Sequence, residues 1–203
     1  IAIGFGMVST LLLPNLLRGK FLHWFGYVLC GTIAMYSHYY ALFGLLAHGM
    51  FVALSSPQQG RRGGMVWWVS AGASILMLVL PWAFVMLPIY AQGQLSDPAQ
   101  MALGEYLVRT GSSLALGLTI GSEIGLVAAG VSLLLCIVGT VYALRNCKRS
   151  WAGLLTTWPL MALLGIYVVT YQRATFNTFY FLVAFPAAYT LLALGWLSLL
   201  EYK

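Results

Sequence analysis

MYSHYYALFGLLAHGMF, residues 35–51, lies inside an apolar run that extends from Trp24 to Leu54. Its middle carries Tyr36, Ser37, His38, Tyr39 and Tyr40 in a row. As one helix, residues 24–54 would be about 46 Å long, against a hydrocarbon core of about 30 Å. As two helices, they fold back at Ser37–Tyr40. The basic residues decide between these readings. Arg18 and Lys20 precede the run, and Arg61 and Arg62 follow it. Basic loops collect on the cytoplasmic side of a membrane, so the chain must cross twice between them. The expected spans are 24–36 and 41–54, with SHYY at the outer surface. At 13 and 14 residues both are short for a full crossing. The turn is therefore expected slightly below the outer headgroups, in a protein-lined or water-filled cavity, where irregular backbone is tolerated.

Composition places the whole chain in the same environment. It is 61% hydrophobic and only 7% charged, with a mean hydropathy of +0.89; soluble domains carry about 25% charged residues. Further apolar runs cover 1–17, 65–90, 124–144, 151–170 and 179–200. The expected fold is all-α: a polytopic transmembrane helical bundle of about seven spans, forming one transmembrane domain over 1–203. On this map eight of the ten Lys and Arg residues are cytoplasmic, and only Arg109 and Arg173 are external. Loops 18–23, 55–64 and 145–150 are the cytoplasmic ones. The net charge of +6 is thus an orientation signal. No basic stripe runs along one element, which argues against a nucleic-acid partner; the partner that composition requires is the lipid bilayer.

Residues 91–123 form the long outer loop. In SDPAQ, Asp97 can cap a short helix, Pro98 suits its first position and Gln100 completes a capping-box-like arrangement. That helix is expected to reach Val108, with Met101, Leu103, Tyr106 and Leu107 available to lie on the membrane surface. The following GSSLALGLTIGS re-enters the bilayer or extends the next span. Gly121, Gly125 and Ala129, spaced by four, would let another helix approach closely.

Several side chains could carry chemistry, and each also has a plainer reading. His38 with Tyr39 and Tyr40 can form the polar wall of an outward-facing site that holds a phosphate or a sugar hydroxyl; Tyr rings also anchor helices at the headgroup level. Glu123 opens a span, where an acidic group is favourable on dipole grounds, or it faces a cavity as an intramembrane carboxylate. Arg173, in YQRATFNTFY, suits a lipid-phosphate contact or a headgroup anchor, and Arg109 reads as an anchor. His48 reads as a helix-packing hydrogen bonder. Pro81 and Pro88 can kink one span and free carbonyls. Cys30, Cys136 and Cys147 have no metal-type spacing. No cofactor is expected, and the use of a divalent metal is left open. No hydrolase, zinc-protease, P-loop or dinucleotide motif occurs.

Taken in order, three segments resemble a known family. Trp24-x-x-Tyr27 followed by Y-S-H-Y-Y-A-L-F (Tyr36–Phe43) resembles the Y-T-H-Y-Y segment of bacterial family 39-type membrane glycosyltransferases. Arg61 and Arg62, then a helix ending in Leu80-Pro81-Trp82, resemble the family's next span. Phe176–Gly195, FNTFYFLVAFPAAYTLLALG, resembles its closing helix. The resemblance covers nearly the whole chain. Where the family has Arg before Tyr in the last motif, this chain has Phe179, with Arg173 six residues earlier. The family includes protein O-mannosyltransferases and lipid A aminoarabinose transferases. The resemblance implies a GT-C-like enzyme of the bacterial plasma membrane. It would move a sugar from a polyprenyl-phosphate donor to an acceptor, whether lipid, glycan or protein, at the outer face. His38, Tyr39, Tyr40, Glu123 and Arg173 would line the substrate site. The chain begins at Ile1, inside an apolar run and without Met. It is therefore expected to be the C-terminal part of a longer protein, with the family's catalytic carboxylate in a first outer loop upstream and no catalytic residue of its own. The competing expectations are a transporter or lipid flippase segment, and a polytopic scaffold without a site.

The two-crossing reading makes a direct prediction. With the native cysteines replaced, Ser37→Cys should react with a membrane-impermeant maleimide in intact cells, and Gln58→Cys only after permeabilisation. Labelling of Gln58→Cys from outside would establish the single crossing instead.

Overall fold

The computed structural model describes residues 1–59, 62–92, 102–116, 122–147, 149–171 and 184–201. Among them every regular element is a helix: α1 (Ala2–Leu16), α2 (Phe21–Ser37), α3 (Ala41–Gln59), α4 (Arg62–Gln92), α5 (Leu103–Leu116), α6 (Ser122–Asn146), α7 (Arg149–Tyr171) and α8 (Phe185–Glu201). Among the described residues three stretches are long and apolar enough to cross a membrane: Gly63–Met86, Ile124–Asn146 and Trp151–Val168. By length and composition this is a membrane protein. Shorter apolar helices cover Ala2–Leu16, Ala41–Ala53 and Phe185–Glu201.

The run from Trp24 to Leu54 does break where SHYY stands. α2 ends at Ser37, His38 is extended at φ −163° and ψ 112°, and α3 starts at Ala41. The chain also reverses there. The Tyr27 hydroxyl lies 2.9 Å from His48 Nδ1, whereas an uninterrupted helix would hold these residues about 30 Å apart. Both helices are longer than their apolar cores. α2 begins before Trp24, and α3 continues past Leu54 through polar residues, giving 17 and 19 residues, or about 26 and 29 Å. Hydropathy marks where side chains prefer lipid, but helical hydrogen bonding continues into any flank that tolerates it. The halves are therefore not as short as the apolar count implies.

The chain divides into two compact units, Ile1–Asp97 and Pro98–Lys203. In the first, α1 ends in a Schellman motif. Gly19 N–H donates to the Leu16 carbonyl at 2.9 Å and Lys20 N–H to the Asn15 carbonyl at 3.3 Å, with Gly19 at φ +76°. Any other residue would be strained at that φ, and a Cβ there would also meet Trp67 Nε1 at 2.8 Å. α2 lies along α4. Trp24 Nε1 donates to Ser70 Oγ at 2.9 Å, Gly31 packs on Ile75, and Tyr36 donates to the Leu78 carbonyl at 2.9 Å. These contacts advance together along both helices, so α2 and α4 run parallel. α4 is continuous through Pro81 and Pro88.

In the second unit, α5 packs on α6 at small residues. A Cβ on Gly111 would meet Ala129 Cα at 3.0 Å, and one on Gly125 would meet Ser112 Cβ at 3.2 Å. The expected close approach at Gly125 and Ala129 is therefore present, with α5 as the partner; Gly121 lies outside the described residues. α6 and α8 approach still more closely. A Cβ on Gly139 would collide with the Leu191 carbonyl, and one on Gly195 with the Leu135 carbonyl. Cys136 lies near the Ala188 carbonyl, and the Tyr142 hydroxyl donates to Glu201 at 2.9 Å. These pairs also advance together, so α6 and α8 are parallel.

Within each unit the helices follow one plan. The first packs on the second and touches the third, through Thr10 and His48 in one unit and Tyr106 and Leu163 in the other. The second runs parallel to the fourth, and the third also packs on the fourth.

The Gly139–Gly195 crossing leaves no room for a side chain. Gly139→Leu should lower the thermal unfolding midpoint in detergent, with a loss of about 2 kcal/mol or more. Gly130→Ala on the same helix adds its Cβ to open space and should cause no loss. Equal midpoints for the two variants would show that the crossing does not hold α6 against α8.

Candidate functional site at the turn between α2 and α3

The turn is built by backbone hydrogen bonds. His38 N–H closes α2 on the Ala34 carbonyl at 2.9 Å. The carbonyls of His38, Tyr39 and Tyr40 then accept from Ala41, Leu42 and Phe43 at 2.9, 3.1 and 3.0 Å, starting α3 as a tight turn. The three side chains gather as a result. The His38 ring centroid is 5.6 Å from that of Tyr39 and 5.3 Å from that of Tyr40, and the two tyrosines are 4.3 Å apart. Tyr40 is 2% exposed and stacks on Phe43 at 5.9 Å. His38 and Tyr39 are partly exposed.

Tyr36 extends the cluster to α4. Its ring lies 6.2 Å from that of Trp82. Pro81 has no N–H to give the Met77 carbonyl, and the neighbouring Leu78 carbonyl receives the Tyr36 hydroxyl. The proline thus marks the place where α2 and α4 are pinned beside the turn.

Burial pushes the His38 imidazole below its ordinary pKa. At neutral pH it therefore offers one nitrogen donor and one acceptor rather than a positive charge. Together with phenol groups and aromatic faces, such a ring suits a hydroxyl-rich ligand better than a bare phosphate.

The other expected site residues belong to the second unit or lie outside the described residues. Glu123 belongs to the first turn of α6, in the second unit, where its backbone position agrees with the dipole reading; its side chain lies outside the described residues. Arg173, Asp97 and Pro98 also lie outside the described residues, so the expected cap of the outer-loop helix is not placed. α5 runs to Leu116, eight residues beyond the expected end at Val108. Tyr106 is not spread on a membrane surface. It is 1% exposed, donates to the Leu163 carbonyl at 2.7 Å and packs on Tyr167 at 4.9 Å. One buried tyrosine commits that face of α5 to α7, which a membrane-surface reading of α5 could not anticipate. Arg109 pairs with Glu105 at 2.6 Å, one turn away on the exposed face.

A second feature was not evident from the sequence. A cavity of about 540 Å³ lies between α5, α6, α7 and α8, with Thr110, Ala129, Cys136, Thr140, Pro159 and Leu191 in its wall. Its threonines turn inward on their own helices. Thr110, Thr140 and Thr156 donate to the Tyr106, Cys136 and Ala152 carbonyls at 2.7, 2.8 and 2.8 Å. Ser132 adds one more hydroxyl to a wall that is otherwise largely hydrocarbon and suits an apolar chain. Pro159 and the small residues at 111, 129 and 130 are the only local signals for it. Among the described residues no three His, Cys, Asp or Glu side chains gather as metal ligands would. Comparison with family models, curated proteins and solved structures finds no match to this chain.

The His38 environment has a pH signature. The folded ring binds a proton less readily than the unfolded one, whose pKa is about 6.5. Its contribution to stability is full above that value and is lost as pH falls towards the lower folded value. The thermal midpoint should therefore drop as pH falls below about 6.5, and drop less in His38→Gln. Superimposable pH profiles would remove His38 as the titrating group.

Proposed function

We propose that this chain is the C-terminal membrane part of a GT-C-like glycosyltransferase. The enzyme moves a sugar from a polyprenyl-phosphate donor to an acceptor at the outer face of a bacterial plasma membrane. The observation that carries the reading is the turn. The Y-S-H-Y-Y segment that bears the family resemblance is also where α2 ends and α3 begins, and its His and Tyr rings cluster there. α1, α2, α3, α4, α6, α7 and α8 are the seven spans of this reading. The cytoplasmic loops are those carrying Arg18 and Lys20, Arg61 and Arg62, and Arg145, Lys148 and Arg149.

In this reaction a carboxylate, assigned by the resemblance to an outer loop upstream of Ile1, takes the proton of the acceptor hydroxyl. The oxygen attacks the anomeric carbon and the lipid phosphate leaves. His38 and Tyr39 hold sugar or acceptor hydroxyls, with Tyr40 buried beside them, and the resemblance offers Arg173 and Glu123 as further substrate contacts. The hydrocarbon-walled cavity of the second unit suits a lipid tail.

A second reading has one observation in its favour. The shared helix plan of the two units has the form of an internal repeat, on which many secondary transporters are built. On that reading the protein is a transporter or lipid flippase.

The full-length protein in proteoliposomes separates the two. With radiolabelled polyprenyl-phosphate sugars and membrane extract as acceptor, wild type should transfer label. His38→Ala and Arg173→Ala should each lower transfer about tenfold or more, the scale of losing one stabilising contact in a transition state. Full transfer by both variants would move the site elsewhere. No transfer with any donor, with labelled lipid crossing the bilayer, would establish the transporter.

A further inference from the structure

His48 is 1% exposed and lies on α3 away from the turn, among apolar neighbours. It links three helices. Its Nδ1 is 2.9 Å from the Tyr27 hydroxyl of α2, and its Nε2 is 2.9 Å from Thr10 Oγ1 of α1. Thr10 Oγ1 donates its own proton to the Gly6 carbonyl at 2.9 Å, so it accepts from His48, and Nε2 carries the hydrogen. A neutral ring then takes the Tyr27 proton at Nδ1. Along these contacts the donors end on a backbone carbonyl, which cannot pass a proton on.

The surroundings show what else it can do. On the stripe of α3 that carries His48, the residues one turn away are Gly44, Leu45, Phe51 and Val52. The buried face of α2 consists of Tyr27, Val28, Cys30, Gly31, Ala34 and Met35. Apolar contacts are non-directional, so apolar packing alone discriminates weakly between registers one turn apart. Hydrogen bonds are directional, and in lipid an unmade one is costly. Tyr27 and His48 therefore distinguish one register of the α2–α3 hairpin from its neighbours, and Thr10 ties that register to α1.

We infer that His48, held between Tyr27 and Thr10, is a positioning residue that sets the register of the α2–α3 hairpin and so fixes where His38, Tyr39 and Tyr40 stand. This depends on the proposed function only for what the turn does. The register itself is measured without any activity, so failure of one idea is distinguishable from failure of the other.

The test uses the full-length protein in lipid nanodiscs, with the native cysteines replaced. Nitroxide labels go at Leu22→Cys near the start of α2 and Leu42→Cys near the start of α3, two exposed positions far apart along the hairpin axis, so that a slide of one helix changes the distance between them. Electron–electron resonance then reads the distance between them. Wild type should give one narrow distance. His48→Leu should add a population displaced by several ångströms, most of the rise of about 5 Å per helical turn. Tyr27→Phe, which removes a single oxygen, should broaden the distribution, and His48→Gln, which can still donate to Thr10, should narrow it towards wild type. A merely space-filling His48 would leave the distance unchanged in His48→Leu, and that result would overturn the inference. If His48→Leu fails to fold, Tyr27→Phe decides: an unbroadened single distance there overturns it equally.

Discussion

The reversal at His38 is the constraint on which the first unit depends. Once α2 stops at Ser37, α3 must return along it, and in lipid the returning helix can satisfy its polar groups only inside the bundle. Tyr27, His48 and Thr10 meet this requirement together across three helices. α4 then closes the unit against both α2 and α3, meeting α2 through Trp24 and Ser70 at one end and Tyr36 and Leu78 at the other. Hydrogen bonds thus sit at both ends of a contact whose middle, Gly31 against Ile75, is apolar and close.

The second unit achieves the same plan by other means. Where the first uses side-chain hydrogen bonds, the parallel pair α6 and α8 uses the absence of side chains: Gly139 and Gly195 let the backbones meet. Without a hydrophobic drive between helices in lipid, such close packing is a principal source of association. A consequence of bringing α6 and α8 together while α5 and α7 stand around them is the apolar cavity. Three of its hydroxyls, those of Thr110, Thr140 and Thr156, are spent on their own helices, which suits most of the wall to hydrocarbon.

The two expected halves of the candidate site differ in how local they are. His38, Tyr39 and Tyr40 are adjacent in sequence, and a helix break brings their rings together whatever the rest of the chain does. Glu123 lies in the other unit, and its role depends on distant packing. Tyr106 shows the same limit. Its spacing with Leu103 and Leu107 marks an apolar face, but whether that face meets lipid or another helix depends on α7, some sixty residues on.

From the sequence alone follow the all-helical class, the membrane environment, the break at SHYY and the small-residue stripe at Gly125 and Ala129. All four rest on local quantities: hydropathy, charge spacing and side-chain size. Tertiary structure alone decided that His48 joins α1 and α2, that α6 and α8 run parallel through two glycines, that Tyr106 turns inward, and that a cavity opens in the second unit. The physical reason is the near-uniform apolarity of the chain. When almost every helix face is hydrophobic, periodicity no longer says which face meets which. That choice falls to a few hydrogen bonds and a few missing side chains, whose partners lie many residues away.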